Sequence, residues 1–98
     1  MKHLVEALKN EKTITFNPKG NSMTPKIKSG QSVTIERLSD KEKELLKKGD
    51  IVFCKVGGNY YLHLISAITL SQKRCQISNN HGKVNGWTDF SNVFAKLI

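Results

Sequence analysis

Ser22 and His63 are the residues of this chain whose types and settings best suit covalent chemistry. Ser22 lies in Gly20-Asn21-Ser22-Met23-Thr24-Pro25, a turn that holds a serine between a glycine and a proline. His63 lies in Tyr60-Tyr61-Leu62-His63-Leu64-Ile65, inside an apolar stretch of β type. A serine hydroxyl is a weak nucleophile. It becomes competent when a base lies within hydrogen-bonding reach and when donors face the developing oxyanion. A glycine-bounded turn exposes the hydroxyl and leaves backbone N–H groups near it. Met23-Thr24-Pro25 can open a short helical turn whose N–H groups face the same point. That combination would suit acyl transfer. Taken singly, each residue has a commoner role: a serine there caps or shapes the turn, and a histidine in a strand is usually a satisfied core or surface side chain.

The elements that must bring the two together read as strands. The chain is expected to form a single domain over residues 1–98, with an N-terminal helical segment (1–11) and a β-rich body (13–98). Leu4, Val5 and Leu8 share a helical face, which predicts a short helix over 2–10. Thr13 to Phe16 and Ser32 to Arg37 alternate and are β-branched, so both predict strands. Asn17 to Asn21 is a turn cluster between them. Ser39-Asp40-Lys41-Glu42 has the form of a capping box. It predicts a helix over 40–48, stopped by Gly49. Asp50 to Val56 and Tyr60 to Ile68 predict two strands joined by a Gly57-Gly58-Asn59 hairpin turn. Arg74 to Ser78 and Val93 to Leu97 predict two more. Asn79 to Gly82 and Asn85-Gly86 read as turns. The expected fold class is mainly β (α+β), a small coiled antiparallel or mixed sheet with one or two short helices.

In their order these pieces resemble the signal-peptidase and repressor-type (self-cleaving) serine peptidase superfamily. Gly20-Asn21-Ser22-Met23-Thr24-Pro25 looks like its G-x-S-M-x-P box, and Gly49-Asp50-Ile51-Val52 looks like its G-D-hydrophobic box. The strand after that box carries a lysine base in the bacterial members. In the endoplasmic-reticulum and archaeal signal peptidases it carries a histidine, and here it reads Leu62-His63-Leu64-Ile65. Gln76 to Gly82 occupies the place of a later segment that often reads K-G-D-N-N. The likeness covers roughly residues 13–98. It implies Ser22 as nucleophile, His63 as general base, and backbone N–H groups of the Asn21–Met23 loop as the oxyanion hole. The family's orienting aspartate has no counterpart, because Ser78 and Asn79 stand in its place. Asp89 is then the acid to examine behind His63, Asp50 having an ordinary turn or cap role in its box. Lys55 is a backup base only if buried enough to lose its proton.

Composition sets the surroundings. The chain is 38% hydrophobic and 24% charged, as a globular domain is. No apolar run approaches the roughly 20 residues of a membrane span, and the first residues do not read as a secretory signal. A cytoplasmic protein with no membrane partner is expected. Cys54 and Cys75 belong to no C-x-x-C pair and are expected as buried free thiols. With no clustered ligands, neither a metal nor another cofactor is expected. The net charge is +8, and no acid occurs between Glu11 and Glu36 or from Ile51 to Thr88. Lys19, Lys26, Lys28, Lys55, Lys73, Arg74 and Lys83 fall in those gaps. With Tyr61 as a stacking ring, they would suit RNA or single-stranded DNA. Phe53 and Trp87 are expected in the core, and His81 as a simple exposed residue of its turn.

Three functional readings follow. The first is a peptidase-like domain acting through a Ser22–His63 dyad on a protein or peptide substrate or on itself, with activity that has persisted or become vestigial. The second is a non-catalytic module on the same fold that binds nucleic acid through a basic face. The third is a small interaction protein of a phage or mobile element.

Overall fold

Ile51-Val52-Phe53-Cys54 has no polar residue, so a strand there needs apolar cover on both faces. Val52, Phe53 and Cys54 are all 0% exposed in the computed structural model, which describes residues 1–98. Alternation sends Phe53 to one side and Val52 and Cys54 to the other. Two core clusters result, one on each side. Leu4, Leu8, Met23, Ile27, Ile35 and Leu62 gather around Phe53. Leu46, Val56, Ile65, Cys75, Ile77, Phe90 and Val93 gather with Val52 and Cys54.

The elements in chain order are helix α1 (Lys2–Asn10), strands β1 (Thr13–Phe16) and β2 (Val33–Arg37), and helix α2 (Asp40–Lys43). Strands β3 (Ile51–Val56), β4 (Asn59–Thr69), β5 (Arg74–Ser78), β6 (Val84–Asp89) and β7 (Val93–Leu97) follow. They form one seven-stranded sheet in the order β1-β2-β7-β3-β4-β5-β6, with every pairing antiparallel. The mainly β class is therefore observed, in its antiparallel form. Gly57 and Gly58 both have positive φ, at 55° and 85°, as the two-residue β3–β4 turn requires. No helix is long and apolar enough to cross a membrane.

Two local expectations are corrected. The helix expected over 40–48 is α-helical only over Asp40–Lys43. Its capping box is present, with the Glu42 N–H donating to Ser39 Oγ and the Ser39 N–H donating to Glu42 Oε1. After Lys43 the bonds tighten to three-residue turns, the Leu45 N–H to Glu42 and the Leu46 N–H to Lys43, and the buried Asp50 carboxylate takes the Lys47 N–H at 3.0 Å, so no α-helical bond continues. The same carboxylate receives Lys47 Nζ and faces Lys96 Nζ, which bears out Asp50 as a turn residue. The second correction is Asn85-Gly86, which lies inside β6 and reverses nothing. The β5–β6 register slips between Ile77↔Gly86 and Ser78↔Val84, leaving Asn85 as the extra residue of a bulge.

That bulge helps the sheet coil. β6 is the far edge of the sheet, yet it returns over β3: the Thr88 hydroxyl donates to the Lys55 carbonyl at 2.8 Å. At Gly86 (φ 139°) a Cβ would stand 3.1 Å from Val56 Cγ1. Gly86→Ala should therefore cost about 1–3 kcal/mol, from a backbone region that side chains disfavour together with this contact. Thermal unfolding should show a drop of roughly 4 °C or more; an unchanged Tm would mean that β6 does not press on β3.

Cys54 and Cys75 are buried free thiols, as expected. Burial pushes them up to about 12 and about 11, so neither is a nucleophile at neutral pH.

Candidate active site

Ser22 sits in the long connection between β1 and β2. Met23 and Ile27 are both buried in the first core cluster, and the Ile27 N–H donates to the Met23 carbonyl at 3.0 Å. The two apolar anchors pin the turn and leave Ser22, the residue before them, on the surface. The helical turn expected to open at Met23 is corrected to a hydrogen-bonded turn over residues 22–26, closed by this bond and by the Thr24 N–H donating to the Asn21 carbonyl at 3.2 Å; a residue before proline, here Thr24, is disfavoured in helical backbone. The backbone N–H groups of Ser22 and Met23 donate to no acceptor in the chain.

His63 lies on β4 opposite Val52 and is 7% exposed. β5 pairs with β4 only from Leu64 onward, so the β4 edge over Tyr60–His63 has no strand on that side. The serine loop reaches His63 there. Ser22 Oγ is 3.0 Å from His63 Nε2. On the other side of the ring, His63 Nδ1 is 2.7 Å from Asn85 Oδ1.

This second bond determines the chemistry of the first. An amide oxygen only accepts, so Nδ1 carries the proton and donates to Asn85. Nε2 is then the bare nitrogen, and Ser22 Oγ–H donates to it. The imidazole is thereby held in the tautomer whose Nε2 can accept a proton from Ser22. Burial pushes His63 below its ordinary value of 6.5, against the smaller opposing pull of the Asn85 bond. The shift favours the neutral imidazole.

The shift has a consequence for stability. The unfolded chain takes up the His63 proton near pH 6.5, while the folded chain resists it until a lower pH. This part of the stability is present above pH 6.5 and is lost as pH falls from there towards the folded value. Thermal melts from pH 8 to 5 should show the decline, and His63→Gln should flatten it. The lowered carboxyl of Glu42 acts only below its ordinary 4.5, outside that window. A decline of equal size in His63→Gln would assign it elsewhere.

A second loop holds the serine loop. The Asn80 N–H donates to the Ser22 carbonyl and Asn80 Nδ2 donates to the Thr24 carbonyl, both at 2.9 Å. His81 Nε2 donates to the Asn21 carbonyl at 2.9 Å, and the Thr24 hydroxyl donates to the same oxygen. The Asn79 side chain shapes this loop by accepting the His81 and Lys83 N–H groups. His81 is exposed but is more than the free turn residue expected from sequence.

Asp89 does not stand behind His63. It pairs across the β5–β6 ladder with Arg74, at 2.7 Å, and its side chain is 57% exposed. Asn85 occupies the orienting place, four residues earlier on the strand and so about 13 Å away along it. Lys55 is no backup base: its ammonium lies over the Tyr60 ring, 5.5 Å from the centroid. Of the basic residues grouped for nucleic acid, Arg74 is engaged by Asp89. Lys19 and Lys83 line the groove beside Ser22, while Lys26, Lys28 and Lys73 are exposed. Tyr61 packs against His63, with ring centroids 4.9 Å apart. Phe53 is in the core as expected, whereas Trp87 is 41% exposed. Trp87 opposes Gln76 on the edge strand β6, where only one ladder neighbour exists to cover it.

Ser22, His63 and Asn85 open into a groove of about 730 Å³. Asn85 and Asn80 were not singled out from the sequence: Asn80 lay within the Gln76–Gly82 segment with no role of its own, and Asn85 stood before a glycine, which describes any turn equally well. No protein-family model matches this chain, and no curated protein matches it either.

Proposed function

We propose that this chain is a serine peptidase-like hydrolase that acts through Ser22, His63 and Asn85 on a peptide bond of a protein substrate or of its own kind. The observation that carries this reading is the ordered pair of hydrogen bonds, Ser22 Oγ to His63 Nε2 at 3.0 Å and His63 Nδ1 to Asn85 Oδ1 at 2.7 Å. The likeness of the serine box and the histidine strand to the signal-peptidase and repressor-type superfamily agrees with it.

The steps follow from the geometry. A peptide laid along the open edge of β4 brings its carbonyl carbon to Ser22 Oγ. As the C–O bond forms, His63 Nε2 takes the serine proton, and the imidazolium is stabilised by its Nδ1–H bond to Asn85. The carbonyl oxygen becomes an oxyanion, for which the free N–H groups of Ser22 and Met23 are the available donors. His63 returns the proton to the leaving amine, the C–N bond breaks, and an acyl-serine remains. Water, deprotonated by His63, then releases the acid. Asn85 is neutral, so it orients the imidazole without adding charge. A Cys–His–Asn set uses an asparagine in this way on an unrelated fold.

A fluorophosphonate probe tests the reading directly. Ser22 Oγ would displace fluoride and form a P–O bond while His63 takes the proton. One adduct per chain, mapped to the peptide containing Ser22 and lost in His63→Ala, is the expected result. A wild-type chain labelled no faster than His63→Ala would remove the proposal.

A further inference from the structure

Which peptide the groove accepts can be read from its walls. The apolar part is built by Phe16, Met23, Ile27 and Leu62, and it continues directly to Ser22 and His63. The charged part is Lys19 and Lys83, and no aspartate or glutamate lines the groove at all. Neither lysine has a carboxylate partner within 4.0 Å, although five other ion pairs form in the chain. The two come from separate segments, the serine loop and the turn before β6, and meet at one groove. Unpaired cations beside an apolar floor, on a chain of net charge +8, favour a ligand that brings carboxylates and a large apolar side chain together.

Resting on the peptidase reading above, we infer that the groove selects acidic–apolar peptide segments: a large aliphatic or aromatic side chain for the floor, flanked by glutamate or aspartate for Lys19 and Lys83. A basic segment is disfavoured twice, by repulsion from the two ammonium groups and by loss of their pairing. A segment without the large side chain leaves the apolar floor wet.

Binding to the Ser22→Ala chain separates this selectivity from catalysis. Three fluorescent peptides share one frame: a leucine flanked by glutamates, a leucine flanked by lysines, and a glycine flanked by glutamates. Fluorescence anisotropy should give the glutamate–leucine peptide about tenfold higher affinity than either of the others at low salt. The charge preference should shrink as salt is raised. It should reverse in Lys19→Glu/Lys83→Glu, whose two exposed positions tolerate the change. Equal affinity for the three, binding of none at millimolar peptide, or an unaltered charge preference in the double variant would each overturn the inference. Quenched versions of the same peptides, incubated with the wild-type chain, report on the other claim. Selective binding without any cleavage would leave the selectivity standing and remove the peptidase. Equal cleavage of all three would do the reverse.

Discussion

Ser22→Ala should lower the rate of peptide or ester hydrolysis by about 10⁴-fold or more, while the domain stays folded. The expected size follows from the nucleophile's role, since removing the serine of a Ser–His unit leaves only what binding and the oxyanion donors supply. The fold should survive because Ser22 is exposed and lies outside both core clusters. What it loses is one hydrogen bond to His63, worth about 0.5–1.5 kcal/mol. Circular dichroism and a melt should therefore resemble those of the parent chain. His63→Ala should cost a similar factor, and the double variant little more than either single one. Residues that act as a unit are not additive. Hydrolysis that persists undiminished in Ser22→Ala would place the chemistry elsewhere in the molecule.

The second large effect is expected at Asn85. In Asn85→Leu the side chain keeps its approximate size but accepts nothing. His63 then loses the bond that keeps the proton on Nδ1, and its other tautomer, with the proton on Nε2, cannot accept from serine. Holding the wrong tautomer costs about 10⁴ in a serine triad, so a fall of about 10²–10⁴ in kcat/KM is expected. Asn85→Asp should act in the opposite sense on the ring. The new carboxylate keeps the orienting bond and adds a negative charge 2.7 Å from Nδ1, where the amide oxygen now stands. An adjacent opposite charge favours the imidazolium, so the His63 pKa should rise from its depressed position. The acid limb of the kcat/KM profile, expected below pH 6.5 in the parent, should move to higher pH. The rate on the plateau should hold or increase, because the imidazolium formed in the transition state is better stabilised. A pH series on the three proteins distinguishes these outcomes. Full activity in Asn85→Leu, or an acid limb that does not move in Asn85→Asp, would show that Asn85 does not orient the base.

Much of this architecture was legible in the residues, because the signals are local. The alternation of Thr13 to Phe16 and of Val33 to Arg37 is a property of neighbours, and both strands form there. Gly57-Gly58 demands the tight β3–β4 turn wherever the rest of the chain lies. The Ser39–Glu42 capping box closes within four residues. Local pattern also misled. The helix after the box should have run to Lys48 by propensity, but its bonds tighten to three-residue turns after Lys43, and the buried carboxylate of Asp50 holds the Lys47 amide that would have continued it. Asn85-Gly86 reads as a turn by composition. It became a bulge inside β6 because β6 has Ile77 and Ser78 to pair with and must pass close to Val56.

Ser22 and His63 stood out in the sequence because a serine between Gly20 and Pro25, and a histidine amid Leu62, Leu64 and Ile65, contrast with their neighbours. Their meeting, across 41 positions of chain, was decided by Met23 and Ile27, whose burial against the Phe53 side of the sheet fixes the serine loop. The choice between Asp89 and Asn85 lay wholly in the tertiary structure. Both are polar residues of one strand, and charge alone favours the acid. The strand pairing sends Asp89 to Arg74, while the bulge and the coiling of the sheet carry Asn85 back to His63. A sequence states which side chains can accept a proton or a hydrogen bond. Which of them shares a hydrogen-bond distance is set by how far a sheet twists and where its register slips, and those depend on contacts between residues far apart in the chain.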